Sequence, residues 1–461
     1  MFIRPRLVYG RPTYGPPLAP TTMQSSVTQY GITWTFDQPY PVGQFVNGDY
    51  FVVANSDVTI VDIDPLSEID GGGRTRHGSM LNPEHGEVQA YDSEPVAGGF
   101  EPANNVGRPG GMDISASNPL LLGSGSSLVS TRTEIEPNIR PHVVDAQILT
   151  VVAEPPPVGS FRPPYSGSDK TPRWNVDDLQ WSALPRIASI PSRPDWQTME
   201  QWIERPWIDH VGGLWIGRKI HPSNNMPDYG RDMAYQTSAI SLALLLDYPQ
   251  SVISTLMIRY VQLGIDWYGV TRYRSTTGVV WWGGGGHGQG RQWPILFAGI
   301  MLNDLTMLSY ANAGGYRSRW DEYPWPSDPG GNGNPVFQEQ QQFFVVGQGD
   351  VDQPRYTADG RPRDPYTVEM IGTPEWGEQH ANDPQRDGSN WDAYYRDLAV
   401  NSIAGHVLAA RIMGAESLWG WDTIFSSLDR WVDSSSVHGR WSGGANPAPQ
   451  FVREMWTQYR T

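Results

Sequence analysis

The feature that most constrains the fold of this chain is a change in the spacing of its apolar residues. Between residues 31 and 153, apolar and polar residues alternate in short runs that end at Gly, Asn, Asp or Pro, which is typical of β-strands. From residue 191 onward, the apolar residues recur at helical spacing, and several segments are apolar almost all round, as in buried helices. Residues 154–190 separate the two patterns, begin with Glu154-Pro155-Pro156-Pro157 and predict a stiff, extended linker.

This change predicts a multidomain β + α protein. Residues 1–30 are rich in Pro, Tyr, Thr and Ser without periodicity, so we expect an extended arm that is ordered only by packing on another domain or on a neighbouring subunit. Residues 31–153 are expected to form an N-terminal antiparallel β-sandwich or barrel. Residues 191–461 are expected to form an α/α barrel, or toroid, with its loops at one rim.

Composition restricts the partners. The chain of 461 residues carries 33 basic and 49 acidic residues, a net charge of −16, and it has no run of Lys and Arg, which argues against nucleic acid as a partner. No apolar run is long enough to predict membrane insertion, and the first residues do not form a signal peptide, so an extracellular or virion location is suspected without being fixed. The 20 Trp and 21 Tyr have two equally good interpretations, since such residues stack on sugar rings and also fill the cores of large helical domains.

Two loops that precede apolar helices concentrate the side chains suited to chemistry. The first loop spans residues 221–232 and the second spans residues 281–291. Glycines allow a close approach of the backbone to a ligand, histidine titrates near neutral pH and arginine is a fixed cation. Neither loop has the context of a nucleotide-binding motif. The candidates in these loops are His221, Asn224, Asn225, Asp228, Tyr229, Arg231, Trp281, Trp282, His287 and Arg291.

A third cluster follows at residues 375–380, where Glu378 and His380 could form an acid–base pair or part of a metal site. The His-Glu-x-x-His motif of zinc proteases does not occur, and acid–base chemistry of this kind requires neither a metal nor a cofactor. The structural alternative is that each histidine caps a helix or ties a loop. That alternative stays open for all of these residues.

Several motifs resemble a family of largely uncharacterised bacterial and phage proteins. They are Trp34-Thr35-Phe36-Asp37-Gln38-Pro39-Tyr40, the segment from Gly288 to Gly299 and Ala409-Ala410-Arg411-Ile412-Met413-Gly414-Ala415. More loosely, the helical half is similar to the α/α-toroid domains of polysaccharide lyases. This second resemblance implies that Asn or Arg neutralises a uronic carboxylate while His and Tyr transfer protons, and it is an analogy of fold.

The leading functional hypothesis is cleavage of an acidic polysaccharide by β-elimination. Asn224, Asn225 or Arg291 would neutralise the uronic carboxylate, and His287 or His221 would remove the C5 proton while Tyr229 protonates the leaving oxygen. The remaining candidates would bind the substrate, and they are Arg231, Trp281, Trp282, Glu378 and His380.

Two alternatives remain. A glycoside hydrolase would use a pair of carboxylates, for which Asp228 and Glu378 are candidates. A non-catalytic glycan-binding protein, or a structural protein of a virion tail or appendage, would use the arm to dock on a neighbouring subunit. A virion-associated depolymerase would combine the first hypothesis with this one.

Overall fold

The computed structural model describes residues 18–84, 89–92, 100–106, 113–135, 142–211, 221–226, 230–272, 280–281, 288–312, 337–352, 354, 362–377, 384–385 and 394–460. The chain has two parts, a curled mixed β-sheet that forms a half-barrel and a C-terminal helical region. The predicted change from strands to helices is therefore confirmed. The α/α toroid is not shown and stays a prediction.

The N-terminal sheet contains eight strands that pair mostly antiparallel. The strands of this part are β1 Thr22–Gln29, β2 Ile32–Gln44, β3 Tyr50–Val53, β4 Val58–Asp64, β7 Ser79–Leu81, β8 Leu120–Leu122, β9 Ser126–Thr133 and β10 Val143–Val152, with β5 Glu68–Ile69 and β6 Thr75–Arg76 in a separate two-stranded sheet. Strand order along the main path is β7-β9-β10-β3-β2-β4-β8, and β1 pairs with β2. The predicted antiparallel pairing holds for every described pair of strands in this sheet except one, because β10 pairs with β3 in parallel, and the sheet forms a half-barrel in place of the predicted sandwich or barrel.

Strand β1 falls within the predicted arm. It pairs antiparallel with β2 across a two-residue turn at Tyr30 and Gly31, whose φ angles of 50° and 71° are those of a type I′ hairpin turn. Residues 22–29 therefore belong to the sheet. The strand was missed because six of its eight residues are polar and only Val27 is buried, so it lacks the alternation that marks a strand.

Strands β9 and β10 are buried on both faces. Leu149 and Val151 pack into the core of the half-barrel, whereas Ala146 and Ile148 pack into the core that also contains the helices. Because successive residues of a strand point to opposite faces, one strand serves both cores. The two parts of the chain therefore share a continuous apolar interior.

The proline-rich segment is also more than a connector. Phe161, Arg162 and Tyr165 are fully buried between the sheet and the helices. Arg162 donates from Nε to Asp49 Oδ2 at 2.5 Å and from Nη1 to Asp266 Oδ1 at 2.9 Å, so it links the turn after β2 to a long helix. Residues 160–167, within the stiff linker predicted for residues 154–190, are thus packed in the interior.

The described residues contain eleven α-helices. They are α1 Trp196–Trp202, α2 Gly230–Ala243, α3 Gln250–Arg272, α4 Gln292–Leu302, α5 Leu305–Ala311, α6 Gln338–Gln342, α7 Gln348–Asp352, α8 Tyr394–Ile412, α9 Glu416–Trp419, α10 Thr423–His438 and α11 Gln450–Tyr459. Among the helices, β11 Phe343–Val345 pairs antiparallel with β12 Pro374–Trp376 in a separate two-stranded sheet. Helix α2 lies against α8, and α3 lies against α4. In the described part of the chain, no helix combines the length with the apolar character that a membrane span requires.

Candidate functional site

A run of buried polar residues forms helix α6. Gln338, Glu339, Gln340 and Gln342 are each at most 2% exposed, and buried Phe337 precedes the helix. Polar side chains in such a position cost free energy unless they are hydrogen-bonded, so their partners matter. Most of these partners lie in the turn that leads into α4.

The turn at residues 288–290 is held by three side chains of α6. The backbone N–H groups of Gly288 and Gly290 donate to Gln338 Oε1 at 2.5 Å and to Glu339 Oε1 at 2.6 Å. The Gln289 side-chain amide donates to Gln342 Oε1 at 2.9 Å. These bonds fix the end of the glycine-rich loop against α6.

Gly290 cannot carry a side chain in this arrangement. Its φ is +81°, and an added Cβ would lie 2.7 Å from the Cβ of Ala234 on α2. An ordinary Cβ contact is longer by more than half an ångström. The close approach of the turn to α2 therefore requires glycine at this position.

Glu339 has the properties of a proton-transfer group. Its Oε1 accepts the Gly290 N–H, whereas its Oε2 has no hydrogen-bond partner among the described residues. Burial raises the pKa of Glu339 to about 7, against the opposing effects of the backbone N–H donors and the Arg291 charge. A carboxyl group with such a pKa exchanges its proton near neutral pH.

His406, on α8, lies on the other side of the same turn. Its ring carbon Cε1 is 3.2 Å from the position that a Cβ of Gly290 would occupy, and the side chain is fully buried. Burial lowers the pKa of His406 to about 3, although the Thr237 backbone favours the charged form. The imidazole is therefore neutral at physiological pH. We name Gln289, Gly290, Gln338, Glu339, Gln342 and His406 the Glu339 cluster.

Two residues predicted from the second loop lie beside this cluster. Arg291 donates from Nε to Asp209 Oδ2 at 2.8 Å and from Nη1 to the Gln289 carbonyl at 2.6 Å, and it is 1% exposed. Trp281 donates from Nε1 to the Asp209 carbonyl at 2.8 Å. Burial raises the pKa of Asp209, and the Arg291 charge opposes this rise. Arg291 is thus neutralised by a buried carboxylate of the protein.

The described residues of the first loop are engaged by the chain segment that also contains Asp209. Asn225 accepts the Arg205 N–H at 3.1 Å and donates to the Arg205 carbonyl at 2.9 Å. His221 is 3% exposed and stacks on Trp207, with the ring centroids 5.0 Å apart. Asn224 donates to Asp145 Oδ1 at 2.8 Å, which ties the loop to strand β10.

The two predicted loops therefore meet one common segment, residues 205–209, through their described residues. The remaining candidates Asp228, Tyr229, Trp282, His287, Glu378 and His380 lie outside the described residues, as does the side chain of Arg231. The roles of His287 and Tyr229 in the β-elimination hypothesis accordingly stay predictions.

Sequence reasoning missed Glu339 and His406. The signal for Glu339 was a run of five polar residues, Gln338 to Gln342, enclosed by Phe337 and Phe343. His406 is the single titratable residue in the Ile403–Ala410 stretch of α8, which is otherwise apolar and entirely buried.

No group of three His, Asp or Glu side chains with the spacing of a metal site occurs among the described residues. The resemblance to an uncharacterised family and to α/α-toroid lyases stays a prediction. Comparison with protein-family models, with curated proteins and with solved structures finds no match for this chain.

Proposed function

We propose that this protein is a glycan-cleaving enzyme in which Glu339 donates a proton to the leaving glycosidic oxygen. The observation that carries the proposal is the state of this carboxyl group. It is buried, one of its oxygens has no hydrogen-bond partner among the described residues, and its pKa is raised to about 7. A buried polar atom without a partner requires an explanation, and a catalytic role is one of the few available.

The chemistry of glycan cleavage needs such an acid. In hydrolysis, a carboxylic acid with a raised pKa protonates the leaving oxygen while a second carboxylate acts on the sugar or on water. In β-elimination the leaving oxygen also takes up a proton. Because the pKa of Glu339 is about 7, a large fraction of the groups hold a proton at neutral pH and can donate it.

Aromatic side chains around the cluster support a sugar as the substrate. Trp376 donates from Nε1 to Gln342 Oε1 at 3.2 Å, and the ring of Trp281 packs against the ring of Phe337 at the start of α6, with the centroids 6.1 Å apart. Indole rings provide flat apolar surfaces with a polar edge, which suits the faces of sugar rings.

The charges favour hydrolysis of an uncharged glycan over elimination in an acidic one. Elimination needs a group that neutralises the uronate, but each of the three candidates already has a partner. Arg291 is paired with Asp209, Asn224 donates to Asp145, and Asn225 is hydrogen-bonded to the Arg205 backbone. The net charge of −16 also repels a polyanion at long range. The second carboxylate of hydrolysis remains to be assigned, with Asp228 and Glu378 as the sequence candidates.

Proton transfer from Glu339 to a glycan requires a conformational change. Glu339 is 1% exposed, so the residues that bury it must move apart before a glycan can reach it. If they do not move, the Glu339 cluster serves only to hold the turn at residues 288–290 in place. Activity measurements distinguish these two roles.

The test is incubation with a panel of uncharged and acidic polysaccharides, with measurement of new reducing ends and of the absorbance of unsaturated uronate. Reducing ends without absorbance indicate hydrolysis, and a rise in absorbance indicates elimination. We expect Glu339→Gln to lower kcat by about 10²–10⁴-fold. The matched control is Glu68→Gln, since Glu68 is exposed on β5. Absence of cleavage across the panel, or full activity of Glu339→Gln, would overturn the proposal.

A further inference from the structure

A second site of a different kind lies on the surface at helix α11. An open groove of about 660 Å³ runs between this helix, the end of the proline-rich segment and the loop after α10. Ligand sites have volumes of about 300–1,000 Å³, so the groove is large enough for a short oligomer. It shares no residue with the Glu339 cluster.

The groove combines an apolar floor with a polar rim. Ile190, Pro191 and Trp441 contribute the apolar part. The rim comes from α11, where Gln450 and Gln458 are exposed and stand eight positions apart on one face of the helix. The opposite face of α11 is buried against the core, so the rim residues are left to face solvent.

The rim is pre-organised by bonds among its own residues. Glu454, between the two glutamines, accepts the Gln450 amide at 2.7 Å and also accepts the Ser192 hydroxyl. Arg453 donates from Nη1 to the Ser442 carbonyl at 3.1 Å. Side chains that are already ordered lose less conformational entropy when a ligand binds.

We propose that this groove binds an uncharged saccharide chain. Its lining carries one cation, Arg453, and one anion, Glu454, so its net charge is zero. Amide side chains both donate and accept hydrogen bonds, as the hydroxyl groups of a sugar do. The apolar floor matches the C–H face of a sugar ring, whereas a polyanion would meet the charge of −16 that the whole chain carries.

This inference rests on the proposed function only for the choice of a saccharide as ligand. A groove separate from the cleavage site would hold a polymer near the protein and raise its local concentration by multivalent contact. Binding in the groove is therefore measurable in a variant that cannot cleave.

The experiment is affinity electrophoresis of the Glu339→Gln variant in gels that contain barley β-glucan, galactomannan, xylan, amylopectin, hyaluronan or alginate. We expect retardation in at least one uncharged polysaccharide, and at least tenfold weaker retardation when Gln450→Ala and Gln458→Ala are added. The matched control adds Gln197→Ala and Gln201→Ala, two exposed glutamines four positions apart on α1.

Three results would overturn the inference, namely no retardation in any uncharged polysaccharide, retardation only in the acidic ones, or equal weakening by the groove and control substitutions. If binding is absent while the unsubstituted chain still cleaves a glycan, the groove inference fails and the proposed function stands.

Discussion

Replacing Glu339 by Gln should change how the stability of this protein depends on pH. The pKa of Glu339 is about 7 in the folded chain, against an ordinary value of 4.5. Between these two pH values the folded protein holds a proton that the unfolded chain has lost. The contribution of Glu339 to stability is therefore complete below pH 4.5 and is lost as the pH rises through about 7.

The size of this effect follows from the same two pKa values. One pH unit between them corresponds to about 1.4 kcal/mol, so the loss between pH 4.5 and pH 8 is about 3 kcal/mol. Gln has no titrating proton and keeps the acceptor oxygen for the Gly290 N–H. The free energy of unfolding of Glu339→Gln, relative to the parent, should accordingly rise by up to about 3 kcal/mol over this range.

The assay is urea unfolding of both proteins at pH 5 and at pH 8, followed by tryptophan fluorescence. The raised pKa values of Asp209 and Asp266 also make the parent protein less stable at high pH, but both proteins share these groups and their effect cancels in the difference. Glu68→Gln serves as the exposed control and should show no such change. A difference between Glu339→Gln and the parent that is the same at both pH values would refute the argument that burial holds the proton on Glu339.

Two further predictions concern the interior. Arg162→Met should lower the free energy of unfolding by about 3–5 kcal/mol, because two buried carboxylates lose their cation. Its control, Arg173→Met, should lower the free energy of unfolding by less than about 1 kcal/mol, because the ion pair of Arg173 is exposed. Gly264→Ala should lower the free energy of unfolding by about 1–3 kcal/mol, since the new Cβ would lie 2.4 Å from the Pro294 carbonyl oxygen. Its control, Gly349→Ala, places a Cβ that meets nothing within 4 Å and should raise the free energy of unfolding by up to about 1 kcal/mol. Equal effects of the two members of either pair, measured by urea unfolding, would contradict the corresponding prediction.

The sequence was sufficient to predict a strand or a helix wherever the spacing of apolar residues matched only one of the two. Ile32, Trp34 and Phe36 alternate with polar residues and are all buried in β2, and the apolar segments of the C-terminal half form helices such as α3. What failed was pairing between distant segments. The parallel contact of β10 with β3 joins residues about a hundred positions apart, and no local spacing encodes it.

The site was predictable to a similar degree. The loop that ends at Arg291 was identified because glycine, histidine and arginine are concentrated there, and Arg291 indeed lies next to the Glu339 cluster. Its role could not be read from the sequence, because Asp209, the carboxylate that neutralises it, lies 82 positions earlier. Glu339 escaped notice since its burial depends on helices contributed by distant parts of the chain.

The shared interior has a consequence for how such a protein can change over generations. Gene fusion and exchange work best on modules that fold without their neighbours, because each brings a finished surface to its new partner. Here a protein fragment that contains the half-barrel alone would expose Ala146 and Ile148 of β10 to solvent. A recombinant that joins this sheet to other helices must also supply an apolar face that fits it, so the two parts are expected to be inherited together.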